Sequence, residues 1–280
     1  NDLTIIIAVL CAAFLHALWN FILRGSKDKL LSMTSVVLGH IPLSIIGICI
    51  FGFPNINGIY YILLSAFLHF FYQIFLLNAY KYGELSEVYP VARGVSPLII
   101  TLISLFFLSE NISFFEIMGI LLISVSILTY GLHNFLSNKT NTKGMLLAIF
   151  TGCFIASYSL VDGYGARVTQ NPISFYSVMT LINGIIFFVF VNWKQNNILK
   201  RIIIEGKISF FIGGSASYVA YAIVVWACVY LPIGIVSSIR ETSVIFALLL
   251  GTLFLKEKLN FIKCFLIFGS CFGIILMRIH

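Results

Sequence analysis

Charge is scarce in this chain: 10% of its 280 residues are Asp, Glu, Lys or Arg, against about 25% in soluble domains. With 60% hydrophobic residues and a mean hydropathy of +1.04, that scarcity excludes an ordinary water-soluble domain. Acidic residues are the scarcer sign, 10 against 17 Lys and Arg. The basic excess sits in short loops at the ends of apolar runs, where it reads as a topology signal and not as a nucleic-acid surface. No C-x-x-C occurs, and Cys11, Cys49, Cys153, Cys228, Cys264 and Cys271 lie inside apolar segments. That excludes a zinc or disulfide framework and leaves them as small interior residues. H-E-x-x-H, D-D-x-x-D-type acidic clusters and nucleotide loops are also missing, so no catalytic residue, metal or cofactor is expected. A basic n-region is absent too, with Asp2 near the start; the first apolar run reads as a retained helix.

What is abundant is long apolar runs. A crossing needs roughly 20 apolar residues. The runs predict an all-α polytopic membrane protein with ten transmembrane helices, at Leu3 to Arg24, Leu31 to Phe53, Gly58 to Tyr82, Leu85 to Ser109 and Ser113 to Phe135 in the first half. The second half supplies Gly144 to Gly165, Pro172 to Trp193, Ile208 to Leu231, Ile233 to Leu255 and Leu259 to Ile279. The polar stretch Ser137 to Lys143 divides two units, 1–136 and 144–280, with a linker at 137–143.

The units resemble each other. A shift of 147 places Arg93 on Arg240, Ser96 on Ser243 and Glu110 on Glu257. Five helices is an odd number, so duplicated halves in one chain insert in opposite senses, as two inverted five-helix repeats. The loops after helices 1, 3, 5, 7 and 9 carry 13 basic residues, and the opposite side carries only Arg167 and Arg278. The expected orientation therefore puts the first set of loops in the cytoplasm and both termini outside it, in a plasma (inner) membrane.

Arg93 lies in the apolar run between Pro90 and Pro97. A cation there needs a partner or a wet cavity, and the prolines free carbonyls that protein or water must satisfy. Arg93 is expected either to contact a solute or to staple the fold through Glu87 or another helix's carboxylate. Arg240 has Glu241 beside it, but adjacent helical residues do not face each other. Asp162 is the expected partner, as an outer gate or a permanent pair. Glu87, Asp162 and Glu241 are the carboxylates at hand for gating or proton coupling. Near mid-depth, His16, Trp19 and Asn20 share a face of helix 1, and His69, Tyr72, Gln73 and Tyr80 share one of helix 3. Helix 8 offers Ser215, Tyr218, Ala222 and Trp226, flanked by Tyr221. These groups suit an aromatic cavity with a few hydrogen-bonding positions, the alternative being hydrogen bonds between helices. The solute-binding set is Trp19, Asn20, His69, Tyr72, Gln73, Tyr89, Arg93, Tyr218, Trp226 and Arg240. Gly269 and Gly273 on helix 10 permit a close helix contact, with helix 5 or in a dimer. Glu110 and Glu257 read as structural residues beside the first turns of helices 5 and 10.

The strings H-A-L-W-N at His16 to Asn20, V-Y-P-V-A-R-G at Val88 to Gly94 and L-F-L-K-E-K-L at Leu253 to Leu259, set in ten helices and two repeats, resemble EamA-type transporters of the drug/metabolite transporter superfamily. The resemblance implies a central cavity lined mainly by helices 1, 3, 4, 6, 8 and 9. It also implies alternating access, in a family that spans amino acids, other small metabolites, nucleobase-type compounds and drugs. The aromatic and hydrogen-bonding groups at mid-depth point within that range to a small polar or amphipathic metabolite, such as an amino acid or related compound. The second repeat departs from the first where Y-P-V-A-R-G becomes S-S-I-R-E-T. The expected partners are a small solute and the lipid bilayer, with no nucleic acid, in a monomer or homodimer. The alternatives are a flippase for a lipid-linked sugar and a membrane-embedded enzyme acting on a lipid.

Overall fold

The computed structural model describes residues 2–26, 28–83, 85–137, 141–255 and 260–278. Glu257 lies outside them, as does much of the linker. The first half forms α1 (Asp2–Gly25), α2 (Lys29–Phe51), α3 (Ile59–Ala79), α4 (Leu85–Phe106) and α5 (Phe114–Ser137). The second forms α6 (Thr142–Thr169), α7 (Pro172–Lys194), α8 (Ile198–Glu205), α9 (Gly214–Ala227), α10 (Ile233–Glu241), α11 (Ser243–Leu255) and α12 (Phe261–Leu276). Among the described residues no strand occurs, and nine segments are long and apolar enough to cross a membrane. In two of the nine, a π-type turn at Ser209–Gly213 runs into α9, and α10 runs into α11; α12 is apolar but shorter.

Three features depart from the sequence reading. The basic loop after α7 contains α8, whose Ile198 and Ile202 are one turn apart and buried while Arg201 Nη2 reaches Asp28 Oδ2 at 2.8 Å. Eight residues are too few for a hydropathy window to register. The second departure is α6, which continues to Thr169; there Gln170 takes the left-handed conformation (φ 53°) that ends helices, and Asn171 caps α7. The ninth predicted helix is the third, interrupted at Thr242. The Thr242 and Ile245 amides bond three residues back, to the Ile239 and Thr242 carbonyls, and Thr242 Oγ1 donates to the Ile239 carbonyl at 2.6 Å. A hydroxyl that competes for the helix's own acceptors tightens or bends it at that point.

The packing exchanges when the halves are swapped. α3 lies on α6 as α1 lies on α9, and α4 lies on α6 as α1 lies on α10 and α11. α2 packs on α7, and α5 on α12. In the last pair, a Cβ on Gly119 would meet the Gly273 carbonyl at 2.5 Å, and one on Gly269 would strike the Ser126 hydroxyl. Backbones this close need glycine, so the G-x-x-x-G face is spent inside the chain.

Glu110 serves differently from the sequence reading. The capping of α5 belongs to Ser113 and Glu116, whose side chains and amides bond reciprocally. Glu110 instead accepts from the Ile233 amide at 3.0 Å, the open end of α10, and pairs with Arg167 at 2.6 Å. Arg167 also donates to the Cys228 and Leu231 carbonyls, at 2.7 and 3.0 Å. This clamp joins the α4–α5 loop of one half to α6 and the α9–α10 loop of the other.

Candidate functional site

Glu241 is fully buried, and its carboxylate stands between two guanidinium groups. Arg93 Nη1 donates to Oε2 at 2.8 Å, and Arg240 Nη2 and Nε donate to Oε1 at 2.7 and 3.2 Å. Arg93 and Arg240 are each 1% exposed. Such depth is tolerable for charge only when it is paired and hydrogen-bonded. Arg240 also reaches Ser159 Oγ at 3.3 Å, and Arg93 lies 4.9 Å above the Tyr89 ring. Pro97 removes the amide that would bond the Arg93 carbonyl, and the Ser96 hydroxyl takes that acceptor at 3.4 Å. The residues from Glu87 to Gly94 are buried in succession, so the backbone freed by the prolines meets protein and not lipid.

The expected Arg240–Asp162 pair does not form. Neighbouring Cβ atoms do diverge, but α10 stops at Glu241, and the long arginine stem lets its planar fork turn back onto the adjacent carboxylate. Of the partners open to Arg93, it takes a carboxylate on another helix. Asp162, 1% exposed, is held by three donors: the Ser65 hydroxyl, His69 Nε2 at 2.9 Å and the Tyr221 hydroxyl at 2.7 Å. His69 stacks on Tyr158 with ring centroids 3.9 Å apart.

Between these groups lies a cavity of about 60 Å³. Its wall comprises His16 and Trp19 of α1, Met33, Val36, Val37 and His40 of α2, His69, Tyr72 and Gln73 of α3, and Tyr158 of α6. α7 adds Tyr176, Met179, Thr180 and Asn183, and α9 adds Ser217 and Tyr221. This corrects the expected lining: α2 and α7 form wall, while α4 and α10 stand behind it and hold the ion cluster. Asn183 is the polar partner of Gln73, at 3.0 Å. The Tyr176, Thr180, Asn183 stripe on α7 has the spacing that marks one helix face, a signal present in the sequence and absent from the expected set.

Of the expected solute-binding residues, Trp19, His69, Tyr72 and Gln73 line this cavity. Asn20 and Tyr89 lie next to it, joined at 3.4 Å, with Tyr89 also bonded to Ser243 at 3.2 Å. Tyr218 turns to Ser177 Oγ at 2.6 Å, and Trp226 lies tilted against Tyr230, and neither borders the cavity. Tyr221, the flanking residue of that helix, does. Glu87 is buried on α4. Among the described residues, no group of three or more His, Cys, Asp or Glu has the proximity to hold a metal ion. The wall can hydrogen-bond a solute through His, Gln, Asn, Thr and Ser, and can lay aromatic faces against an apolar or cationic part.

Among curated proteins none matches the chain. A crystal structure of a protein superposes on it with a TM-score of 0.72 at 15% identity, covering 98% of this chain and 94% of that one. At that identity the likeness concerns the fold alone. The EamA-like transporter family profile matches twice, over residues 2–132 and 142–279, once for each half. The chain is a multi-pass membrane protein belonging to the EamA-like transporter family, within the drug/metabolite transporter superfamily.

Proposed function

We propose that this protein is a secondary carrier that moves a small polar or amphipathic metabolite, an amino acid or related compound, by alternating access. The observation that carries the reading is a polar, aromatic cavity walled by helices from both halves, backed by a buried cluster in which Arg93 of one half and Arg240 of the other share Glu241. A binding site at the interface of two repeats, next to an interrupted helix, is the arrangement that lets one repeat rock against the other. We count α12 as the tenth crossing and take the halves as inverted, on the odd helix number and the exchange of packing pairs. With the basic loops in the cytoplasm of a plasma membrane, the Glu110–Arg167 clamp lies outside. The space beyond Asp162 on that clamp's side is about 10 Å³, which reads as an outer passage closed in this conformation.

A flippase needs an opening toward lipid, and among the described residues an apolar groove is a candidate. This groove of about 290 Å³ runs over Leu38, Ile41, Pro42, Gly184, Ile185 and Phe188. It lies on the far side of the α2–α7 seam from the cavity. Ser44 and Thr180 bond across that seam at 2.7 Å, and a Cβ on Gly184 would meet Ile41 at 3.3 Å. The closed seam favours a water-borne solute. Uptake of radiolabelled amino acids and small organic acids into proteoliposomes tests the carrier reading; a lipid-linked sugar that crosses while no free solute does would replace it with the flippase.

A further inference from the structure

Two buried donors meet at one imidazole. The Trp19 indole N–H is directed at His16 Nδ1 at 3.2 Å, and the Arg93 Nη2 N–H is directed at His16 Nε2. An indole nitrogen and a guanidinium only donate, whereas a neutral imidazole offers one acceptor nitrogen and carries its proton on the other. Either tautomer therefore satisfies one donor and turns its own N–H against the second, and an imidazolium satisfies neither. Among the described residues, Arg93 Nε is a further buried N–H with no acceptor. These side chains are withdrawn from bulk water: His16 is 8% exposed, Trp19 4% and Arg93 1%. Glu241 is already divided between two arginines. Asn20 Oδ1 lacks a partner nearby, but its amide is held the other way, with Nδ2 on the His16 carbonyl at 2.8 Å and on Tyr89.

The cluster thus holds more N–H donors than acceptors, and its His16–Trp19 side is a wall of the cavity. The missing component is an anionic acceptor with several lone pairs. On the carrier reading, we propose that the transported solute bears a carboxylate that docks on the Trp19 indole N–H and the Arg93 guanidinium, displacing His16 from between them. A carboxylate accepts about four hydrogen bonds and matches a guanidinium fork, so it meets the indole and the guanidinium donors together. The rest of the solute then lies among Tyr72, Tyr158 and Tyr221, with Gln73 and Asn183 for its polar atoms. His16 is the stand-in that fills the place when no solute is bound.

The test is thermal unfolding of the detergent-solubilised protein with L-leucine, L-methionine, L-phenylalanine, propionate and benzoate, each acid beside its methyl ester and each amino acid also beside its decarboxylated amine. At least one acid is expected to raise Tm while its ester and amine do not. Trp19→Phe and Arg93→Lys are each expected to weaken that binding roughly tenfold, the scale of one charge-assisted hydrogen bond. His16→Ala, which removes the competitor, is expected to strengthen it. Stabilisation by ester or amine as well as by acid, by no acid of the panel, or equally in Trp19→Phe overturns the proposal. Should Arg93→Lys fail to fold, the Trp19 and His16 variants still decide. Uptake separates the two readings: an acid that binds but never crosses sinks the carrier reading alone, and transport of amines with no acid bound sinks this inference alone.

Discussion

α4 and the α10–α11 pair are the same helix in the two repeats, yet they break the expected rule in opposite directions. α4 contains Pro90 and Pro97 and continues through both, whereas its counterpart has no proline between Ile233 and Leu255 and is interrupted at Thr242. Proline frees a carbonyl, but the Ser96 hydroxyl donates to the one that Pro97 frees, in a stretch enclosed by protein, and the helix survives. Thr242 donates to a carbonyl of its own helix at 2.6 Å and tightens it beside the one carboxylate that both arginines need. Helix continuity at this depth is decided by where backbone and charge find partners, more than by residue type.

Removing the shared partner is the largest way to break this comparison. Glu241→Gln leaves two guanidinium groups buried without a counter-charge and is expected to cost about 3–5 kcal/mol of stability. Arg93→Gln and Arg240→Gln each leave Glu241 paired to the other arginine and are expected to cost about 1–3 kcal/mol. Thermal unfolding in one detergent ranks the three, and equal losses would show that the arginines do not share a partner in solution. A smaller effect separates the two backbones. Thr242→Val is expected to lose about 1 kcal/mol with its hydrogen bond, while Pro97→Ala gains less than that by restoring an amide. A loss at Pro97→Ala would mean that the α4 proline is required by packing and not merely tolerated.

The smallest test lies outside the membrane, at the α2 cap. Partial burial of Asp28 would raise its carboxyl pKa, but the Leu31 amide and Arg201 outweigh burial and hold it below its ordinary value. A depressed carboxyl contributes stability at a pH above its unfolded value, and that contribution is lost as pH falls through the folded value. The Asp28→Asn variant is therefore expected to unfold more easily than the native chain at neutral pH. The gap should close below pH of about 4. A gap that persists in acid would assign the effect to packing at the cap.

Much of the fold was legible because a bilayer imposes length: each crossing announces itself as an apolar run, and charged residues fall at the ends. The cavity was half legible. Trp19, His69, Tyr72 and Gln73 stood out as polar or amphipathic groups at mid-depth, where a residue type alone signals a constraint. Sequence does not separate Tyr221 from Tyr218, because α9 is apolar nearly all round and its lipid-facing and protein-facing sides look alike. Thr242 looked like any other residue of an apolar run, since a hydroxyl's acceptor cannot be read from composition.

By itself the sequence determined a membrane-embedded helical chain, its duplication and its family, all properties of local hydropathy and recurring strings. Tertiary structure alone decided which charges meet. Arg240 was bound to find a carboxylate, because a lone buried cation is too costly, but whether Asp162 or Glu241 supplied it depended on helix rotation and on the break at Thr242. The same packing brought Trp19 and Arg93, 74 residues apart in sequence, onto a single imidazole that has one acceptor to offer.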